Sequence, residues 1–163
     1  MKENANKRPS WDEYFVELTK VVGSRGTCDR AYVGAVLVKD KRILSTGYNG
    51  APVGIPSCDA VGREIQAIAH EDGTISKHCI RTAHAESNAI VNAARVGVVV
   101  YGATLYCQMT PCYVCAKTII NAGIVRVVVI RDYHSSDLTK KIFKQAKIKL
   151  NIINKEVQKY KNQ

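Results

Sequence analysis

The chain has 163 residues, is 46% hydrophobic and carries a formal net charge of +10 at pH 7. These values predict one globular domain spanning residues 1–163 and argue against a disordered or fibrous protein. The first ten residues are polar and no apolar run approaches a membrane span, so we expect neither a secretory signal nor a membrane anchor. Six cysteines without a secretory signal favour a reducing compartment, the cytoplasm.

The positive charge is concentrated near the C-terminus. Residues 137–163 contain eight lysines against Asp137 and Glu156, a net charge of +6, which leaves +4 for the preceding 136 residues. A lysine-rich stretch is more often a solvated face than a nucleic-acid site, so we do not expect nucleic acid as the partner. A positive potential would equally attract a small anionic substrate.

The first predicted element is a helix. Apolar residues recur at helical spacing from Trp11 to Val22, with Ser10 as the N-cap and Gly23 just past the end.

A hairpin and an irregular segment follow the helix. Tyr32–Val38 is short, apolar and β-branched, Asp40 and Lys41 form a tight turn, and Arg42–Tyr48 returns. Residues 49–81 show little regular pattern. A segment of that length inside a compact domain usually serves a function or folds locally around something.

The second half alternates helices and strands. We predict helices at Ala85–Arg95, Tyr113–Ala122 and Leu138–Ala146, and strands at Ala103–Gln108, Val125–Ile130 and Ile148–Ile153. Short joints between strand, helix and strand favour parallel neighbours. The run Val96–Tyr101 is placed in a connection because of Gly97 and Gly102.

Two short motifs carry the chemistry: His84-Ala85-Glu86, and Pro111-Cys112-Tyr113-Val114-Cys115. A histidine and a C-x-x-C pair supply three zinc ligands, which leaves the fourth tetrahedral position for water. Zinc lowers the pKa of that water, and a nearby carboxylate that is not a ligand can carry its proton. The alternatives are a structural zinc and a redox C-x-x-C pair.

Both motifs are predicted at helix N-termini, where free N–H groups favour thiolates. Pro111 suits such a helix entry because its missing N–H costs nothing there. If the two helices begin at one point, His84, Cys112 and Cys115 converge on a catalytic zinc. Glu86 then acts as the proton shuttle, with a pKa brought near working pH by partial desolvation.

The chain resembles the zinc-dependent cytidine deaminase superfamily and, within it, the deoxycytidylate (dCMP) deaminases of bacteria and phages. The pattern H-x-E…P-C-x-x-C is the signature of zinc nucleobase deaminases. The resemblance runs from about Trp11 to Tyr133 and rests on Ser10–Phe15, Thr27–Val36, Thr46–Pro52, Cys79–Ile90 and Pro111–Cys115. The Gly-Tyr-Asn-Gly segment at residues 47–50 and the long insert before His84 are what resemble the dCMP branch.

The resemblance implies an α/β, three-layer fold with a five-stranded mixed sheet flanked by helices. It implies hydrolysis of dCMP to dUMP and ammonia, with attack at C4, as a source of dUMP for thymidylate synthesis. The residues that match family substrate-binding positions are Arg30 (phosphate), Asn49 (sugar), Ala85 and Tyr133 (base surroundings). A guanidinium fork suits a phosphate because it pairs two oxygens.

The resemblance also implies regulation. Many such enzymes are homohexamers activated by dCTP and inhibited by dTTP, with Mg²⁺ on the triphosphate. The matching regulatory segment is Gly47, Tyr48, Asn49 and Gly50, where glycines let the backbone approach phosphates.

A second, structural zinc is predicted in the insert. Cys28, Cys58 and Cys79 lie around residues 49–81 with His70 and His78, in a segment with little apolar content to fold it. Metal binding could supply the missing folding free energy. Some phage and bacterial relatives have such a zinc, and Cys28, Cys58 and His78 match its positions. For the fourth ligand we favour His70 over Cys79, which adjoins His78.

Other functions remain open on the sequence. A dual dCMP/dCTP deaminase and a tRNA adenosine deaminase share the motifs, although Arg30 and the long insert argue against tRNA. A free-nucleoside cytidine deaminase typically carries a third cysteine in place of histidine, and a riboflavin-pathway deaminase would need a reductase domain. A non-enzymatic DNA-binding role conflicts with the intact His84, Glu86, Cys112 and Cys115.

Overall fold

The computed structural model describes residues 8–69, 73 and 75–158. Within them the helices are α1 (Trp11–Gly23), α2 (Cys58–Val61), α3 (Ala85–Arg95), α4 (Tyr113–Asn121) and α5 (Asp137–Gln145). The strands are β1 (Gly34–Lys39), β2 (Arg42–Tyr48), β3 (Ile65–Ala69), β4 (Ile75–Cys79), β5 (Thr104–Met109), β6 (Arg126–Tyr133) and β7 (Lys149–Gln158). No helix in this part of the chain is both long and apolar enough to cross a bilayer.

The main sheet has five strands in the order β2-β1-β5-β6-β7. β1 runs antiparallel to β2 and β5, whereas β5, β6 and β7 are parallel. The predicted parallel arrangement of strand–helix–strand units and the mixed five-stranded sheet are thereby confirmed. Asp40 and Lys41 both have positive φ, 50° and 62°. Such values suit a two-residue turn that follows the twist of the flanking strands.

Helices cover both faces of the sheet, as the three-layer prediction requires. Ala35 and Leu37 of β1 pack into one core, which also contains buried side chains of α3, α4 and α5. Val36 and Val38 pack into the opposite core with Phe15 of α1. Because alternate residues of a strand point to opposite faces, a strand buried on both sides reads as a continuous apolar run.

α1 is anchored at its start. Ser10 Oγ accepts from the Glu13 N–H, and the Glu13 carboxylate accepts from the Ser10 N–H, which forms a capping box. The Asp12 carboxylate accepts hydrogen bonds from both terminal nitrogens of Arg126, at 2.9 and 2.6 Å, and from the Tyr106 hydroxyl at 2.8 Å. These bonds tie the helix N-terminus to β5 and β6.

The insert contains more structure than the sequence predicted. Where we expected an irregular segment, residues 58–61 form the short α2, and β3 pairs with β4 in a separate antiparallel sheet. The pattern was missed because β3 is exposed along its whole length and therefore lacks the alternation that marks a half-buried strand.

Several predicted boundaries also shift. β1 begins at Gly34 instead of Tyr32, while β6 and β7 extend to Tyr133 and Gln158. The polar ends of β6 and β7 pair with each other, which local propensity does not reveal. Residues 96–101 contain no strand, in agreement with the prediction.

Gly47 sets the distance between β2 and α3. A Cβ built there would lie 2.3 Å from both Ala85 O and Ala89 N, inside the backbone of α3. Side chains also join the two elements: Asn88 Nδ2 donates to Tyr48 O at 2.8 Å, and Ser45 Oγ donates to Ala89 O at 2.8 Å. The absence of a side chain at residue 47 therefore fixes where α3 begins.

Gly47→Ala should displace α3 and lower the free energy of unfolding by about 2–3 kcal/mol, as overpacking against backbone does. Chemical denaturation measures this. The matched control is Val91→Ala on α3, where the side chain is 59% exposed and the change should stay within about 0.5 kcal/mol. Equal stability of Gly47→Ala and the wild type would show that β2 and α3 are not in this close contact.

Candidate active site

The two motifs meet at the N-termini of two helices, as predicted. His84 is the N-cap of α3, and Cys112 is the N-cap of α4. Cys112 Sγ accepts a hydrogen bond from the Cys115 N–H at 3.5 Å. A sulfur acceptor in the N-cap position satisfies one of the free N–H groups of the helix and favours a thiolate.

Backbone pairing places each motif. Gly50 and Ala83 exchange two N–H···O bonds, of 3.1 and 2.9 Å, so the residue before His84 is held against the end of the hairpin. On the other side, the Thr110 N–H donates to Arg131 O at 3.1 Å, just before the segment that carries Cys112.

The ligand atoms lie at distances that fit zinc. His84 Nδ1 is 3.4 Å from Cys112 Sγ and 3.5 Å from Cys115 Sγ, and all three ligand atoms lie within 4.8 Å of one another. A tetrahedral zinc, with Zn–S near 2.3 Å and Zn–N near 2.0 Å, separates sulfur from nitrogen by about 3.5 Å. His84, Cys112 and Cys115 would therefore hold the metal.

Exposure is graded across the cluster. His84 is exposed, Cys112 is half-buried and Cys115 is buried, and Glu86 is 7% exposed. A three-ligand cluster that is exposed to solvent on one side and buried on the other suits a catalytic zinc, which needs a free position for water or substrate.

The pKa shifts agree with thiolate chemistry. A hydrogen bond from Cys115 and the imidazole of His84 lower the pKa of Cys112 to about 4, although burial opposes this. The hydrogen bond to Cys112 raises the pKa of His84 to about 9. The same pairing with Cys112, together with burial, raises the pKa of Cys115, so one negative charge is shared by the two sulfurs.

Glu86 has the environment expected of a proton carrier. Burial raises the pKa of Glu86 above its usual value, while the positive charge of His84 opposes the shift. Glu86 lies in the first turn of α3, which places it near the positive end of the helix dipole. A carboxyl whose pKa is raised toward working pH is better suited to both accept and release a proton.

Asn49 and Ala85, both predicted to bind substrate, are buried. The Asn49 amide accepts from the Val33 N–H at 2.8 Å and donates to Ala31 O at 2.7 Å, so it also organises the entry to β1. Ala85 is the first residue of α3, where the helix offers its N–H no carbonyl. Their contacts with substrate stay predictions.

The other two substrate candidates lie on different segments. Arg30 NH1 donates to Lys77 O at 3.3 Å, which links the guanidinium to β4 of the insert. Tyr133 ends β6 and is half-buried. Its ring meets that of His134 edge-on, with centroids 4.4 Å apart. The phosphate and base-wall roles remain predictions.

The predicted regulatory segment, residues 47–50, serves the packing of α3 through Gly47 and the bridge to Ala83 through Gly50. Tyr48 remains 41% exposed. A nucleotide effector at this segment is still a prediction.

The insert brings cysteines together but not the full predicted ligand set. Cys58 Sγ lies 3.7 Å from Cys79 Sγ, and both lie near the Thr82 hydroxyl. Burial raises the pKa of Cys58, and the charges of Cys79 and Cys28 add to it. His78 is exposed, and His70 lies outside the described residues. Among the described residues, only the His84 cluster brings three ligand atoms within 4.8 Å of one another.

Sequence reasoning missed Ser87. Its Oγ lies 3.5 Å from Cys115 Sγ, where a hydroxyl can donate to a thiolate. The signal was its position three residues after His84, on the same face of α3. A serine alone in a helix is too common to single out without the partner's position.

Comparison with known proteins identifies the family. The cytidine and deoxycytidylate deaminase zinc-binding region matches residues 9–131. The chain belongs to this family. Among the relatives of this deaminase, ComE operon protein 2 of Bacillus subtilis is 39% identical over 140 residues, covering 86% of this chain and 69% of the relative. The deoxycytidylate deaminase of Mycobacterium phage D29 is 42% identical over 123 residues, covering 74% and 94%.

A solved structure agrees with the fold of this deaminase. The dCMP deaminase of cyanophage S-TIM5, in complex with dCMP and dUMP, matches with a TM-score of 0.69 and 26% identity, over 94% of this chain and 100% of that one. The predicted family and the predicted three-layer fold are both confirmed.

Glu86→Gln should retain zinc and slow turnover by about a hundredfold or more, because glutamine keeps the shape but cannot carry a proton. Steady-state rates with metal analysis of the same preparation measure both effects. Glu17→Gln, on the exposed face of α1, is the control and should behave as the wild type. His84→Ala should instead lose zinc and activity together. Near-normal turnover of the zinc-loaded Glu86→Gln protein would contradict the assigned role.

Proposed function

We propose that this deaminase hydrolyses dCMP to dUMP and ammonia. The observation that carries the proposal is the cluster of His84, Cys112 and Cys115, spaced for zinc, with the buried carboxyl of Glu86 beside it. When bound, the zinc acidifies a water molecule that serves as the nucleophile at C4 of the pyrimidine.

Glu86 moves the protons of the reaction. Its carboxylate accepts one proton from the attacking water and delivers it to N3 of the ring. It then takes the second proton from the hydroxyl added at C4 and delivers it to the amino group, which leaves as ammonia while the C4 carbonyl forms. Its raised pKa makes the carboxylate a stronger base toward water, and burial keeps bulk water from competing.

The remaining substrate contacts are proposed on the family resemblance. The Ala85 N–H, in the first turn of α3, can donate to the pyrimidine carbonyl oxygen. Asn49 and Tyr133 are assigned to the sugar and the base surroundings, and Arg30 to the phosphate. We further propose that the product dUMP supplies thymidylate synthesis.

Two related activities compete with this proposal. A dual dCMP/dCTP deaminase would accept the triphosphate in the same site, and a tRNA adenosine deaminase would need a polynucleotide surface around it. Ammonia release with dCMP, dCTP, deoxycytidine and tRNA, measured side by side, separates the three. Turnover of tRNA without turnover of dCMP would overturn the proposal.

Assembly and regulation are proposed on the family resemblance. We propose a homo-oligomer, a hexamer, activated by dCTP and inhibited by dTTP, with Mg²⁺ on the bound triphosphate. We also propose a cytoplasmic location, that of the host cell if the protein is viral, since the thiolate ligands Cys112 and Cys115 require reducing conditions.

Arg30→Ala should raise the KM for dCMP by about tenfold or more and leave deoxycytidine turnover nearly unchanged. The reason is that a nucleoside has no phosphate for Arg30 to bind. Initial rates on both substrates measure the split. The control is Arg25→Ala, an exposed arginine nearby. If the wild type used nucleoside and nucleotide equally well, phosphate recognition by Arg30 would be excluded.

We propose a second, structural zinc in the insert, held by Cys28 and Cys58 with two further ligands. The Cys58–Cys79 separation of 3.7 Å is close to the sulfur–sulfur distance of about 3.8 Å in a tetrahedral zinc thiolate. This supports Cys79 as a ligand, beside the sequence-based candidates His78 and His70. Zinc bound at this site would fix the position of β4 and, through β4, the start of α3.

Metal analysis should therefore find two zinc ions per chain, and one in Cys58→Ala, with thermal unfolding of the variant at lower temperature. The control Cys107→Ala removes a fully buried thiol that donates to Met109 O and should keep both ions. Cys79→Ala tests the ligand choice in the same assay. A single zinc per fully active wild-type chain would contradict the second site.

A further inference from the structure

Asp132, near the end of β6, collects an unusual number of donors. Its Oδ1 accepts from Thr110 Oγ1 at 2.8 Å, Ser136 Oγ at 2.7 Å and the Tyr133 N–H at 2.9 Å. Its Oδ2 accepts from Lys140 Nζ. The side chain is only 14% exposed, so this carboxylate is held from several directions at once.

These donors come from two separate segments, one of which enters the candidate active site. Thr110 immediately precedes Pro111 and Cys112, the segment that enters α4. The same segment is tied a second time, because Thr139 of α5 is fully buried and donates its hydroxyl to Pro111 O at 2.9 Å. The position of the metal-ligand segment is thus coupled to the β6–α5 connection.

Two of the other donors, Tyr133 and Ser136, lie at that connection, and Lys140 lies on α5. Residues 133–136 form a turn in which the Ser136 N–H donates to Tyr133 O at 3.1 Å. Tyr133 is the residue assigned to the base surroundings, and it lies next to Asp132. One carboxylate therefore bonds to the segment before Cys112 and to both ends of the turn that begins with Tyr133.

The charge state of Asp132 limits what it can do. Burial opposes ionisation, but hydrogen bonds from Lys140, Ser136, Thr110 and the Tyr133 N–H outweigh it and hold the pKa of Asp132 at about 2. A group that stays ionised at working pH and already accepts four donors cannot serve as a proton carrier. Its contribution must be geometric.

We propose that Asp132 is a positioning residue that holds the turn of residues 133–136 at a fixed distance from the Cys112 segment, so that the nucleotide is bound between them. The inference rests on the proposed dCMP deaminase activity and on Tyr133 as part of the substrate site. A small displacement of a substrate-contacting group is enough to weaken binding or misalign the reacting atoms.

The test compares Asp132→Asn with Asp137→Asn. The asparagine can still accept from Thr110 and Ser136, but its amide donors would face the Lys140 ammonium, so the turn should shift. Asp137 is a matched control, because its side chain is 98% exposed and lies 4.0 Å from the same Lys140. Zinc content, KM and kcat for dCMP are measured for each.

We expect Asp132→Asn to keep its catalytic zinc and to raise the KM for dCMP at least tenfold, with a smaller change in kcat, while Asp137→Asn stays within twofold of the wild type. Replacing Lys140 by Met in the Asp132→Asn background removes the facing donors and should recover at least threefold in KM. A merely structural role would not give this recovery.

Hydrogen exchange gives a readout that does not depend on turnover. In Asp132→Asn the amide of Tyr133 should exchange faster while those of α3 are unchanged. If the wild type failed to turn over dCMP, the proposed function would be wrong. The exchange result would still show whether Asp132 couples the turn of residues 133–136 to the Cys112 segment.

If Asp132→Asn does not fold, the near-isosteric Thr110→Val takes its place, and we expect it to raise the KM about threefold. Unchanged KM and exchange, or loss of the catalytic zinc, would overturn the proposal.

Discussion

The active site depends on one constraint: two helices must begin at the same point. α3 begins directly after its N-cap His84, where Gly47 lets the helix approach β2 and Gly50 pairs with Ala83. α4 begins directly after its N-cap Cys112, which follows a segment hydrogen-bonded to β6. The central sheet therefore sets the distance between the imidazole and the two thiols, and a shift of either helix along it would open the ligand cluster.

The helix N-termini also supply the electrostatics of the site. Each presents free N–H groups and a partial positive charge, which favour the anionic forms of cysteine and glutamate. Burial acts in the opposite direction on Glu86 and raises its pKa. Hydrogen bonding lowers the pKa of Cys112, whereas burial raises that of Glu86. A metal site and a proton carrier can thus sit on adjoining helix ends and differ in charge state because their local contacts differ.

The sequence predicted the elements whose signals are local. The N-cap at Ser10, the Asp40-Lys41 turn and the two ligand motifs each depend on residues a few positions apart, and the structure contains all of them. The β3–β4 pair was missed because its strands are exposed and show no burial pattern.

The contacts that no local pattern reveals join distant parts of the chain. Asp132 accepts a hydrogen bond from Thr110, 22 residues away, and Gly47 lies against the backbone of α3. Cys58 and Cys79 are 21 residues apart and meet only because β4 folds back along β3. Such pairings need the topology of the sheets, which the sequence indicates only in outline.

Three acidic residues show how environment separates structural from chemical roles. The fork of Arg126, helped by the Tyr106 hydroxyl, lowers the pKa of Asp12, and that network lies against α1, on the sheet face opposite α3 and α4. Asp132 is likewise fully engaged by donors. Strong hydrogen bonding to the charged form fixes a carboxylate in place and removes it from proton chemistry. Only Glu86 shifts in the opposite direction, and of the three only Glu86 shares its first helical turn with a metal ligand. The direction of the shift, together with position, therefore supports the proposed proton-carrying role of Glu86 and argues against such a role for Asp12 and Asp132.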